Sequence, residues 1–81
     1  MFINVRVNGV LVQEIGTSRL RVQVKGVASV TDLLDELRQH YPESAQKLSR
    51  AIPIVDGQQV PPTADLADEQ EVALLMPVAG G

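Results

Sequence analysis

The strongest helix signal in this chain is one amphipathic stretch that lies between segments that read as strands. Val30, Leu33, Leu34, Leu37 and Tyr41 stand at i, i+3, i+4, i+7 and i+11, a single apolar stripe of 3.6-residue period. Ser29 precedes the stripe as an N-cap, and Asp32 is placed to answer its backbone N–H in the manner of a capping box. Asp32, Asp35 and Glu36 lie toward the positive end of the helix dipole, Arg38 and His40 toward the negative end. Pro42 stops the helix, so the spacing predicts one over residues 30–41. One helix cannot cover both faces of a sheet. A chain of 81 residues built around it is therefore a single α+β domain with one sheet face partly open.

The strands follow from alternation. Ile3, Val5 and Val7 fall on one side of residues 2–8, with Asn4, Arg6 and Asn8 on the other. Asn8-Gly9 is a tight-hairpin signal, but residues 10–15 do not alternate cleanly after it, which favours a wide connection over residues 9–18. In residues 19–25, Leu20, Val22 and Val24 face inward, while Arg19, Arg21, Gln23 and Lys25 face water. A weaker helical turn is expected over residues 43–48. Ile52, Ile54 and Val55 form a short strand ended by the Asp56-Gly57 turn, with Gln59-Val60 returning. Pro53 lacks a ladder donor, which places this strand at an edge or makes it irregular. Pro61-Pro62 and residues 65–69 read as loop. The last strand, residues 71–76, is apolar on both faces, as a central strand is. The first and last strands are thus expected to pair in the middle, parallel, in a β-grasp arrangement with a mixed sheet and the helix across one face. If Val72, Leu74 and Met76 face the helix, then Ala73 and Leu75 face the open side, where they are candidates for docking a partner.

Composition excludes several functions. Ten acidic against seven basic residues, a net charge of −3, argue against binding a phosphate backbone, so no nucleic-acid partner is expected. The absence of cysteine removes disulfides, thiolate metal sites and a Cys nucleophile together. The longest apolar run, residues 72–79, is far short of the roughly 20 residues of a membrane helix, and polar residues interrupt the first strand as they would not a secretory signal. No membrane partner and a cytoplasmic location are the expectations. His40 has no Ser or second His nearby and reads as a solvated helix end; Asp35/Glu36 and Asp68/Glu69 read as solvated faces. No spacing suggests a metal site, and the glycines form no phosphate cradle.

The unusual feature is the run PVAGG, residues 77–81, directly after a core strand. Residues 1–76 are read as the domain and 77–81 as a flexible tail. By composition the run reads either as a frayed end or cloning remnant, or as a functional tail. In the second reading Gly80 and Gly81 make the thinnest possible peptide, able to enter a channel that any Cβ would block. Five residues reach up to roughly 16–18 Å, and the group delivered is the Gly81 α-carboxylate.

The helix run ASVTDLLDELRQHYP and the terminal run DEQEVALLMPVAGG resemble the molybdopterin synthase small subunit (MoaD) family, and more broadly the MoaD/ThiS ubiquitin-like sulfur carriers. The resemblance implies that a ubiquitin-activator-like enzyme uses ATP to adenylate Gly81, and that a sulfur donor such as a cysteine desulfurase or rhodanese converts it to a thiocarboxylate. It further implies that Pro77, Val78, Ala79 and Gly80 insert into a MoaE-like large subunit, where sulfur passes to the pterin precursor of molybdenum cofactor. The chain would then be a cosubstrate or small subunit, binding no cofactor itself. Relatives serve thiamin, cysteine or tRNA thiolation, and some are conjugated to proteins through the terminal glycine.

Overall fold

The computed structural model describes residues 1–77. Strand β1 (Phe2–Val7) is followed by helix α1 (Val10–Ile15), strand β2 (Arg19–Gln23), the two-residue strand β3 (Ala28–Ser29) and the main helix α2 (Val30–His40). A 3-10 turn (Pro42–Ser44) leads into α3 (Ala45–Arg50). Strands β4 (Ile52–Val55), β5 (Gln58–Gln59), β6 (Asp65–Leu66) and β7 (Glu71–Leu75) complete the order. The main sheet runs β2-β1-β7-β4-β5. The last strand, β7, is central, and the first, β1, lies beside it and pairs with it in parallel, with Val5 opposite Val72 and Val7 opposite Leu74. This is the β-grasp arrangement that the alternation predicts.

Helix α2 begins as its sequence dictates. The Ser29 hydroxyl accepts the Asp32 N–H at 3.3 Å, and Asp32 Oδ2 accepts the Ser29 N–H at 2.9 Å, closing the capping box. Tyr41 is its C-cap rather than its last residue. Leu33, Leu34 and Leu37 pack with Ile3, Val5, Val22, Val72 and Leu74 in one core, all eight buried as the two periodicities require.

Elsewhere too the structure differs from the sequence expectations. The connection between β1 and β2 is wide, as expected, but it contains a helix that the sequence pattern does not show. Gly9, at φ 59°, turns the chain into α1, and Gly16, at φ 95°, ends it by donating its N–H to the Val12 carbonyl at 2.8 Å. This helix places Leu11, 0% exposed, in the core. Strand β4 is not at an edge, because β5 continues the sheet beyond it. Pro53 is tolerated because its carbonyl accepts the Val60 N–H at 3.1 Å, so its nitrogen also points away from β7. The segment read as loop at residues 65–69 contains β6, which pairs with β3. Finally, β2 ends at Gln23 and β5 occupies residues 58–59, each displaced slightly from its expected bounds. The Asp56-Gly57 turn is as expected, both residues at positive φ.

The two short helices are tied together by a polar cluster. Ser44, only 2% exposed, donates its hydroxyl to Glu14 Oε1 at 2.6 Å, and Lys47 Nζ lies 2.5 Å from Glu14 Oε2. The bond from Lys47 and then that from Ser44 hold the Glu14 carboxyl below its ordinary pKa, outweighing partial desolvation.

Two outcomes follow. Leu11→Ala and Leu34→Ala should each cost about 2–5 kcal/mol in urea unfolding, a large fraction of what so small a domain has. Glu14 is depressed in the folded state, so its contribution is present above the unfolded-chain pKa and is lost as pH falls through the folded value. The stability gap between the parent and Glu14→Gln should therefore be constant near neutrality and shrink in acid below about pH 4.3, measured by unfolding curves across pH.

Candidate functional site

The ionisable side chains are dispersed, and several of them are used structurally. His40 Nε2 lies 3.0 Å from Glu36 Oε1, one turn back on the exposed side of α2. Asp35 pairs with Arg38. Asp68 Oδ1 accepts the Phe2 N–H at 2.8 Å, and Glu69, at φ 66°, bonds Arg21 Nη2 through Oε2 at 2.9 Å. The Asp68/Glu69 pair is exposed, yet it does more than solvate a surface. It fastens the turn before β7 to the strands beside it. Among the described residues no group of three His, Asp or Glu side chains is arranged to hold a metal.

What the fold does assemble is an apolar surface where β7 runs out. Cross-strand partners share a sheet face. Leu75 stands opposite Ile52, and Ala73 lies between Ile54 on one side and Arg6 on the other. Leu75 is 40% exposed, and Ala73, Ile52 and Ile54 are half-buried, so the four form a contiguous patch on the face that α2 does not cover. Toward β1 and β2 the same face becomes charged: Arg6 Nη1 meets Glu71 Oε1 at 3.2 Å, and Arg21 is held by Glu69. The exit of the chain is itself tethered, because the Met76 N–H donates to Asn8 Oδ1 at 3.0 Å.

The docking pair expected from alternation, Ala73 and Leu75, is thus on the open face. Sequence reasoning missed Ile52 and Ile54 beside them. Their spacing marks a strand, but only the register across β7 shows which face they join. It also missed Asn8, a residue read for its turn propensity. Pro77 is exposed at the end of the described residues. Val78, Ala79, Gly80 and Gly81, expected as the inserting tail and reactive terminus, lie outside the described residues. The geometry places an exposed apolar patch next to the point where the chain leaves the sheet.

Comparison with known proteins agrees with this architecture. The model of the ThiS family matches residues 4–81. Comparison with curated proteins finds no match. Among solved structures, SAMP1 from Haloferax volcanii is similar with a TM-score of 0.82 at 25% identity, covering 100% of both chains. A Pyrococcus furiosus protein described as molybdopterin converting factor subunit 1 has a TM-score of 0.85 at 19% identity, covering 96% of this chain and 99% of its own. A complex of subunits 1 and 2 of molybdopterin-converting factor from Helicobacter pylori contains a chain with a TM-score of 0.68 at 20% identity, with 100% of both chains covered.

The Asn8 tether is testable. Asn8→Ala should speed hydrogen exchange at the Met76 amide while leaving the melting temperature almost unchanged, since the bond is exposed and lies outside the core.

Proposed function

The chain belongs to the ThiS family, and on that footing we propose that it is a sulfur carrier whose Gly81 carboxylate is activated by a partner enzyme and loaded with sulfur, for delivery in molybdopterin synthesis. The observation that carries this reading is the family match over residues 4–81, which takes in the PVAGG run as well as the sheet beneath it.

The chemistry assigns a division of labour. A carboxylate is a poor electrophile, so one oxygen of Gly81 must first attack the α-phosphorus of ATP on the partner, expelling pyrophosphate. The terminal sulfur of a persulfide on the donor protein then displaces AMP from the acyl carbon to give an acyl disulfide. A thiol supplied with the donor attacks the donor's own sulfur, breaking the S–S bond to release the thiocarboxylate and leave a disulfide on the donor side. None of these steps asks for an acid or base from the carrier. Its tasks are to dock and to hand over a narrow tail. Ordering five tail residues costs about 5–10 kcal/mol, at roughly 1–2 per residue. Leu75 is 40% exposed, so burying what remains contributes about 1 kcal/mol, which falls well short alone, and the adjoining Ile52, Ile54 and Ala73 widen the apolar contact that works against that cost. A complex of converting-factor subunits on this fold supports delivery into a second subunit.

A second reading, a protein modifier joined through Gly81, is favoured by the full-length likeness to a small archaeal modifier protein. Intact mass and peptide mapping separate the two. Sulfur in place of one terminal oxygen marks a carrier, and branched diglycine peptides on other proteins mark a modifier.

Deleting Gly81 should abolish ATP–pyrophosphate exchange by the adenylating partner with an unchanged melting curve, because the buried core ends at Leu74. Leu75→Asp should weaken binding to the adenylating enzyme and to the acceptor subunit together, with the fold intact. A chain lacking both terminal glycines that still supports sulfur transfer would overturn the carrier reading.

A further inference from the structure

A groove of about 670 Å3 runs between β2 and α2, away from the patch at the end of β7. Phe2, Leu20, Val22, Val24, Leu37 and Tyr41 supply its apolar lining. Its sheet-side wall is a free edge, since β2 stands first in the strand order. Val24 exchanges both backbone bonds with Met1, each at 2.9 Å, and at the other end the Val7 N–H donates to the Ser18 carbonyl at 2.9 Å. In an antiparallel ladder such residues alternate with ones whose backbone groups point away from the partner. Leu20, Val22 and Val24 therefore bond toward β1, whereas Arg19, Arg21 and Gln23 direct N–H and C=O outward. The Thr17 hydroxyl occupies both groups of Arg19, accepting its N–H at 3.3 Å and donating to its carbonyl at 3.1 Å. Arg21 and Gln23 are left with two donors and two acceptors facing out, beside an apolar groove.

An unpaired edge of this kind is a template for another strand. A second copy of this chain is the wrong occupant. Strand β2 carries Arg19 and Arg21, no acidic residue, and is followed by Lys25, so pairing two such strands sets cations against cations. The same charges suit an acidic strand. Arg21 is already positioned, 4.2 Å above the Phe2 ring and bonded to Glu69. Arg19 makes no ion pair among the described residues. The one carboxylate lining the groove, Glu36, is engaged by His40.

We propose that the β2 edge binds an extended segment of a partner protein in which apolar residues alternate with carboxylates, added to the sheet as a further strand. Side chains on one face of the added strand enter the groove against Leu20, Leu37 and Tyr41, and those on the other lie beside Arg19, Arg21 and Lys25. Because β1 separates β2 from β7, the open apolar patch stays free while this edge is occupied.

The test is a titration of the isotope-labelled full chain with a capped seven-residue peptide alternating valine with glutamate, followed by amide shifts. Saturable shifts centred on Arg21 and Gln23 are expected, weakening as salt is raised, with no binding of the same peptide carrying lysine in place of glutamate. Gln23→Pro removes an outward N–H without touching the ladder to β1, so it should keep the melting curve and weaken the peptide about tenfold or more. Equal binding of the lysine peptide, shifts centred on Ala73 and Leu75, no shifts at all, or a concentration-dependent dimer through β2 would each overturn the proposal. The shift map decides even if the proline variant fails to fold.

Discussion

The parallel pairing of β1 with β7 brings the two ends of the chain into the centre of the sheet, and the positions of the other elements follow from it. Parallel neighbours cannot be joined by a tight turn, so everything from α1 to β6 is spent on the connection between them. Closing so long a loop costs entropy that the central strands offset only by being buried, and Ile3, Val5, Val72 and Leu74 are among the least exposed residues of the protein. Direction matters as much as burial. Because the strands run the same way, the residues after β1 lie beside those after β7. That is why Asn8 can reach the Met76 amide and set the point from which the chain leaves the sheet.

The parts legible in the sequence are those where local pattern and tertiary fate coincide. The α2 stripe, its capping box and the inward residues of β1, β2 and β7 are each dictated by a period that survives folding unchanged. Helix α1 is too short for a period to show: Val10, Leu11, Val12 and Ile15 in six residues fit either a strand or a turn of helix. The pairing of β3 with β6 involves two residues on each side and leaves no local signature. Pro53 misled for a different reason. Proline forbids one hydrogen bond, not a strand, and which side of β4 lacks the bond is settled only by register. At the apolar patch on the open face, alternation identified Ala73 and Leu75, whereas Ile52 and Ile54 became part of it through a neighbour distant in sequence.

The sheet thus offers two kinds of contact through different physics. The patch on β7 and β4 is apolar side chain, non-directional, and adjoins the chain exit. The β2 edge is backbone polarity flanked by cations, and it is directional. Thr17 caps part of that edge and the arginines discourage self-pairing, so the edge is protected from another copy while its remaining backbone groups stay unpartnered.

Placing the last strand at the heart of the sheet also orders events during synthesis. Until residues 71–75 have been made, β1 and β4 have no shared neighbour, and the hairpin of β1 with β2 is a two-stranded ribbon of the kind that is marginal in water. The helix α2 has only half a floor to pack on. Cooperative folding of the sheet must therefore wait for β7, and non-local pairing of this sort is slow compared with helical bundles of the same size. Chains broken off before β7 lack the strand that joins the two halves of the sheet.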